Sequence, residues 1–428
     1  MLEPATTAVT NGVQVIALVA VLGRPLPTRW AVVLLAVVLG LTAAREAVAF
    51  HREPLQHGVI DLRLFRAFGA EAAAGRNPYR ADEFITRAAL NPPSAVPLFM
   101  GLAALPPRPA AVGWLTVNYL LSALLPLMAA RAVAPSLPVA TRLTLAAAFV
   151  TCSATTYNAR LGQMSTLTAA ALVGAVAVCE RSRVVAGLLL AVGTVKVGTM
   201  LPFLLLFLAR RWWPVWAALA AGTLGLCLLG SPAGELVPRC GDLLARIRDM
   251  SQPGTTNDYS HAGRVHTSIV GFDHALFNLG LRDHRLISGL QFGLLIALGA
   301  WLAWAVRRAS AGAAAGLVAA YSFLFLYHRH YDAVVLVLPL VFAAGRLAER
   351  PAAGVWPLRL AALCCFAAVN SKSGLTKWVF DWSLDQGGLG AVVRAAVLPL
   401  ATWLTLLALG CLSVGERRAR LSGPAAGA

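Results

Sequence analysis

Charge is what this chain has least of. Only 13% of its 428 residues are Asp, Glu, Lys or Arg, against about 25% in soluble domains. With 58% hydrophobic residues and a mean hydropathy of +0.70, the chain cannot coat a water-soluble globule, and it is far too apolar for disorder. Lysine is nearly missing. It occurs only at positions 196, 372 and 377, so almost every cation is an arginine. The seven cysteines show no CxxC spacing, which argues against a zinc site or a disulfide framework. Cys152, Cys179, Cys227 and Cys411 fall in apolar runs, where Cys is ordinarily a small hydrophobe. No small-residue cleavage site follows the first apolar stretch, so the N-terminal region is expected to stay attached.

What is present is one apolar run after another, which makes this an all-α polytopic transmembrane bundle. A crossing needs roughly 20 apolar residues. Candidate spans are 30–50, 110–130, 143–158, 165–179, 215–230, 286–306, 311–327, 333–344, 355–369 and 391–412. Residues 13–22 are a short span or an interfacial helix, 94–105 is bounded by Pro pairs, and 184–208 carries Lys196 and Pro202 in its middle. The span count is therefore about 10–13 by length. The net charge of +17 needs no nucleic acid, because membrane proteins collect Arg and Lys in cytoplasmic loops. Arginine pairs at 24/29, 131/142, 181/183, 210/211, 307/308, 346/350 and 417/418 flank the spans. All of them reach the cytoplasm if 184–208 is a hairpin of two half-helices turning near Lys196 and 94–105 is re-entrant or outward-facing. Such breaks at membrane depth are tolerated only where they line a cavity or are buried in protein.

One integral-membrane domain, 1–428, results. It has a first outer loop at 51–109, a large outer loop at 231–285 and a basic cytoplasmic tail at 413–428. The outer connections hold all eight histidines, all three lysines and most of the acids. Acid–base and anion-binding chemistry is thus expected on the extracytoplasmic face of the cell membrane. In the first loop, Leu62, Phe65, Phe68/Gly69 and Ala72 recur at helical spacing, which predicts an amphipathic helix on the membrane surface, ending at Gly75. Asp61 stands where a helix N-cap is expected, and it could equally accept a proton from a hydroxyl. Asp82 and Glu83 are adjacent and read as a solvated loop.

These residues resemble glycosyltransferase family 87, a branch of the multi-span GT-C superfamily. That branch includes the polyprenol-phosphate-mannose-dependent α-mannosyltransferases of actinobacterial phosphatidylinositol mannoside synthesis. The matching residues are Asp61, Gly75, Asn77, Pro78, Tyr79 and Pro92-Pro93, then Arg160-Leu-Gly-Gln163, then Ala186-Gly187 with Lys196. The chain departs from the family pattern at Lys196-Val197, where K-P is usual. The resemblance implies a GT-C fold and Asp61 as general base.

Tyr327-His328-Arg329-His330-Tyr331-Asp332 separates two apolar spans with almost no loop. Ionisable residues at that depth are costly and point to function. His328, Arg329 and His330 could neutralise a donor phosphate, or an Arg–Asp pair could anchor a helical hairpin. On a helix, His328 and His330 would face different ways, so no metal site is expected from them. Lys196 could pair with the same phosphate or snorkel to the interface. Asn77, Tyr79, Asn158, Arg160, Gln163, Arg264 and His266 are candidates for holding sugar or acceptor hydroxyls. Asn158 and Gln163 could equally cap spans, and Arg264 and His266 could lie in a solvated loop. Lys372 and Lys377 sit near Trp378 and Trp382, as interfacial anchors do.

The expected activity is transfer of a hexose, mannose by the resemblance, from a polyprenyl-phosphate donor to a lipid or glycan acceptor with inversion. No cofactor or metal is required, because a lipid phosphate paired with cations leaves readily. The chain also lacks a DxD-type nucleotide-sugar motif. Partners would be the donor, the acceptor and membrane lipids. A transporter or lipid flippase is the alternative, favoured by half-helices around Lys196 but lacking a visible inverted repeat. A structural membrane subunit docking through 231–285 is a third.

Overall fold

In lipid every backbone polar group must be satisfied within the chain, so apolar runs become helices. The computed structural model describes residues 2–52, 60–81, 90–252, 254–255, 257–263, 266–349, 355–371 and 373–421, and these are very largely helical. The helices are α1 (Leu2–Val21), α2 (Thr28–Arg52), α3 (Ile60–Ala73), α4 (Val96–Ala104), α5 (Pro107–Val133), α6 (Val139–Thr151), α7 (Ser153–Leu161) and α8 (Ser165–Val178). There follow α9 (Arg183–Gly193), α10 (Val197–Met200), α11 (Leu204–Ala209), α12 (Trp213–Gly230), α13 (Leu236–Met250), α14 (Phe272–Asn278), α15 (His284–Arg308) and α16 (Ala311–Leu324). The last are α17 (Val337–Glu349), α18 (Trp356–Asn370), α19 (Ser373–Ser383), α20 (Gly387–Val397) and α21 (Leu400–Leu421). Among the described residues, six stretches are long and apolar enough to cross a bilayer, or seven with the bent pair α20–α21. Shorter apolar helices such as α8, α16 and α18 fill the spaces between them.

The arginine-bearing ends meet on one side of the bundle. Ser136 Oγ donates to Glu349 Oε1 at 2.7 Å, the Ser310 N–H donates to Glu416 at 3.2 Å, and Arg210 Nη2 reaches Ala309 O at 3.4 Å. These contacts gather Arg142, Arg210/211, Arg307/308, Arg346 and Arg417/418 at a single face.

By length, Arg183–Ala209 is one crossing. Its contacts show a hairpin instead. The Arg183 guanidinium lies 5.6 Å from the centre of the Trp212 ring, so the chain that leaves this face at Arg183 has returned to it by Trp212. Gly187 packs on Val215 and Leu219, and Gly222 on Ala191 and Leu188, so α9 and α12 run parallel. The turn sits where expected, at a short 3-10 segment Thr194–Lys196. It is tied from Thr194 Oγ1 to Ser94 Oγ at 2.9 Å and from Asn91 Nδ2 to Val195 O at 3.2 Å.

Helix α3 buries the expected stripe of Leu62, Phe65, Phe68, Gly69 and Ala72. That stripe faces α4, which corrects the expectation of a helix laid directly on the membrane. Phe65 stacks on Phe99 with ring centroids 4.6 Å apart. Gly69 lies so close to the Phe99 carbonyl that a Cβ would sit 2.1 Å from its oxygen. Arg66 closes the joint by donating to Leu102 O and Leu105 O at 3.0 and 2.6 Å, capping the last carbonyls of α4. Residues 94–105, left open between a re-entrant and an outward-facing course, thus contain a short helix, Val96–Ala104, that bears α3.

The main core is centred on α16 and α17, whose alanine- and valine-rich faces are almost wholly buried. Between those two helices the chain surfaces as a two-residue strand, His328–Arg329, paired antiparallel to Ile269–Val270 of the large loop. This bridge holds the 231–285 segment over the Tyr327–Asp332 turn.

Candidate active site

Asp61 lies in the first turn of α3, where the helix dipole favours negative charge. The α7–α8 turn is pressed against it. Gly162 has φ +74°, and a Cβ there would come within 2.6 Å of Leu62 Cβ, so only glycine fits both the backbone and the gap. Its carbonyl accepts from Trp114 Nε1 at 3.0 Å. The next residue, Gln163, donates from Nε2 to Asp61 Oδ2 at 2.5 Å. Burial raises the Asp61 carboxyl above its ordinary value, and the Gln163 hydrogen bond and the positive charges of Arg329 and Lys196 oppose that rise. The carboxylate is therefore desolvated and biased toward taking up a proton, yet it stands within the field of two cations.

Those cations converge from the hairpin tip and the Tyr327–Asp332 turn. Asp332 is the centre of a buried network, accepting from Lys196 Nζ, from Ser165 Oγ at 2.6 Å, from His328 Nδ1 at 3.3 Å and from the Arg329 backbone N–H at 3.1 Å. Lys196 also donates to Ser165 Oγ at 2.8 Å, and its ammonium stands 4.6 Å from the centre of the Tyr331 ring. Tyr157 of α7 adjoins Tyr331 with centroids 5.6 Å apart. Arg329 is half-buried and donates from Nε to Tyr327 Oη at 2.6 Å. Asp332 forms an ion pair with Lys196, and the Arg329 backbone N–H also donates to it.

The expected site residues separate into two groups. Asp61, Gln163, Lys196, His328 and Arg329 share this site. His330 does not join them. It is 3% exposed, and among the described residues the side-chain partners of Asp332 are Lys196, Ser165 and His328. Asn158 is fully buried, and its amide is spent on Asn118 Oδ1 at 2.5 Å and Thr166 Oγ1 at 2.9 Å. Arg160 is exposed. Asn77 and Tyr79 brace a turn. Asn77 accepts from the Tyr79 N–H and donates to Asp242, and the fully buried Tyr79 donates to Asn91 O at 2.8 Å. His266 is buried against His261 and Phe380. Arg264, Asp82, Glu83 and Lys372 lie outside the described residues, and Lys377 is exposed.

Ser165, Tyr157 and Tyr331 join the site without having been singled out. Ser165 opens an apolar helix, and no local pattern distinguishes it from an ordinary helix-start serine. Asp332 was visible, but its partner lies 136 residues away. Among the described residues no group of three or more His, Cys, Asp or Glu side chains could hold a metal ion.

Beside the site, the descending arm of the hairpin and α15 enclose an apolar cavity of 330 Å³. Leu201 and Leu205 line one wall, Leu295 and Ile296 another, and Phe325 and Leu326 close its end just before the Tyr327–Asp332 turn. Ile296 is 70% exposed, so the cavity borders the outer surface of the bundle.

Comparison with known proteins gives one match. A model of glycosyltransferase family 87 covers residues 89–327, more than half of the chain. Neither a curated protein nor a solved structure matches. The matched stretch starts after Asp61 and stops immediately before His328.

Proposed function

The chain belongs to glycosyltransferase family 87, and from that premise we propose that it transfers a hexose, mannose by family resemblance, from a polyprenyl-phosphate donor to a lipid or glycan hydroxyl. The protein is a multi-span membrane glycosyltransferase. The observation that supports this donor is the meeting of one desolvated carboxylate, Asp61, with Arg329 and Lys196 in a single site, next to an apolar cavity suited to an isoprenoid tail.

Asp61 takes the proton from the acceptor hydroxyl. The oxygen then attacks the anomeric carbon on the face opposite the phosphate, and the bond from that carbon to the phosphate oxygen breaks. The electron pair leaves on the lipid phosphate, where Arg329 supplies a fork of donors and Lys196 a point charge. The product is inverted, and Asp61 releases its proton to solvent. Preorganised cations facing the departing phosphate supply the electrostatic stabilisation. His328 fixes Asp332, which in turn holds Lys196. With the arginine-rich end in the cytoplasm, the site faces the extracytoplasmic side of the cell membrane.

The test is transfer by purified protein in nanodiscs supplied with polyprenyl-phosphate mannose and a panel of acceptor lipids. Equimolar glycosylated lipid and polyprenyl phosphate are expected, lost in Asp61→Asn. Full turnover by Asp61→Asn would remove the base assignment. Solute or lipid flux without sugar transfer would establish the transporter alternative.

A further inference from the structure

Helix α13 has its polarity inverted. In an extramembranous helix the polar face ordinarily meets water, but here Arg239, Asp242 and Arg246 turn to protein, while Arg248 and Asp249 at the helix end stay exposed. Arg239 is 1% exposed and donates to Gly230 O at 3.1 Å and Ser231 Oγ at 2.8 Å. Asp242 accepts from Asn77 Nδ2 at 2.8 Å and Arg80 Nε at 2.9 Å, and Arg246 Nε donates to Tyr79 O at 3.1 Å. The face left outside carries Val237, Cys240, Leu244 and Ile247, spaced as i, i+3, i+7 and i+10 along one stripe. Val237 is 81% exposed, Leu244 66% and Ile247 41%, and Cys240 is an exposed free thiol.

We propose that this stripe is seated in the lipid leaflet on the site-bearing side, making α13 an interfacial anchor. Its position identifies the occupant. Arg239 binds the final carbonyl of α12, a span, so α13 is pinned at the point where that span leaves the membrane. The exposed side of α12 over its last turns is itself leucine, at Leu224, Leu228 and Leu229, and the α13 stripe continues that lipid-facing surface around the corner. Arg248 ends the same face one turn after Leu244 and is exposed, where its long side chain can snorkel to headgroups. An interfacial helix of this kind sinks its apolar face ~5–10 Å into the headgroup–acyl boundary.

The anchor reaches the active-site helix through one turn. Asp242 and Arg246 grip residues 77–80, and Tyr79 packs edge-on against Phe68 of α3 with centroids 5.1 Å apart. The lipid assignment itself does not depend on the glycosyltransfer chemistry.

Cys240 provides the probe. The other cysteines are buried, save the half-buried Cys227. Full-length Cys227→Ser protein is labelled at Cys240 with a bimane maleimide and placed in phosphatidylcholine–phosphatidylglycerol nanodiscs with lipids spin-labelled at a shallow acyl carbon. Quenching by the spin-labelled lipid is expected to exceed quenching by aqueous iodide by about twofold or more, as for a label at the acyl boundary. The same label on Asp249→Cys, an exposed position off the stripe, with Cys240→Ser, should show the reverse preference. A Cys240 label quenched by iodide and indifferent to the lipid overturns the proposal, as does one shielded from both, which would signify a protein partner. Val237→Asp with Leu244→Asp, both on the outward face and sparing the polar contacts, should shift a label at Cys240 from lipid to iodide quenching.

Discussion

Gln163 and Asp61 are 102 residues apart in the chain and joined by a 2.5 Å hydrogen bond. That bond steadies the carboxylate against its own desolvation. It can form because Gly162 lets the α7–α8 turn close onto the first turn of α3.

Replacing Asp61 with Asn should lower transfer by about 10²–10⁴-fold, the usual contribution of a general base, with the protein still monodisperse. Radiolabelled transfer beside a thermal-melt control decides it.

The same substitution should stabilise the fold at neutral pH. Burial raises the folded-state pKa of Asp61, so its share of stability is complete at low pH and is lost as pH rises through the raised value. Asp61→Asn is therefore expected to melt above the parent at pH 7–8 and level with it below the ordinary carboxylate range. A lower melting temperature at pH 7–8 would contradict the desolvated placement.

Transfer should grow with pH through a pKa above that of a free aspartate, because the base must be ionised. Gln163→Leu removes a hydrogen bond that favours the ionised form, so its acidic limb should move to higher pH, with activity largely regained on the alkaline side. An unmoved limb would show that Gln163 does not tune the carboxylate.

Asp332→Asn leaves Lys196 without its buried partner and should cost about 3–5 kcal/mol, whereas removing both charges should cost less than the sum of the single changes. Chemical-denaturation midpoints of Lys196→Met, Asp332→Asn and the double variant measure the coupling. Strict additivity would mean that the pair seen in the structure carries no energy.

Leu205→Trp should fill the apolar cavity beside the Tyr327–Asp332 turn. The expectation is a raised KM for a long-chain polyprenyl donor and little change for a donor with a short tail. An equal effect on both would move the tail elsewhere.

Much of this could be read in one dimension. Scarce charge and long apolar runs require a helical membrane bundle. The 3.6-residue stripe of α3 marked its buried face, and Lys196 amid apolar residues marked the hairpin tip. Asp61 stood out by its place at the start of that helix and by the family resemblance, and the His328–Arg329 pair because ionisable groups at a membrane boundary are costly. The pattern could not show what α3 buries its stripe against, since an apolar face looks the same whether lipid or α4 covers it. Nor could it separate the structural polar residues from the chemical ones. Asn158, Asn77 and Tyr79 have the chemistry of sugar ligands, but Asn118, Asp242 and Asn91 occupy their hydrogen-bonding groups.

By itself, then, the sequence determined the membrane and the helices, because each follows from composition or local spacing, and it offered the candidate reactive residues. The tertiary structure alone decided the pairings: Lys196 and His328 on Asp332, Gln163 on Asp61, and α13 with its apolar stripe outward. Such contacts depend on where distant segments meet, and partners more than a hundred residues apart leave no periodic trace in the chain that joins them.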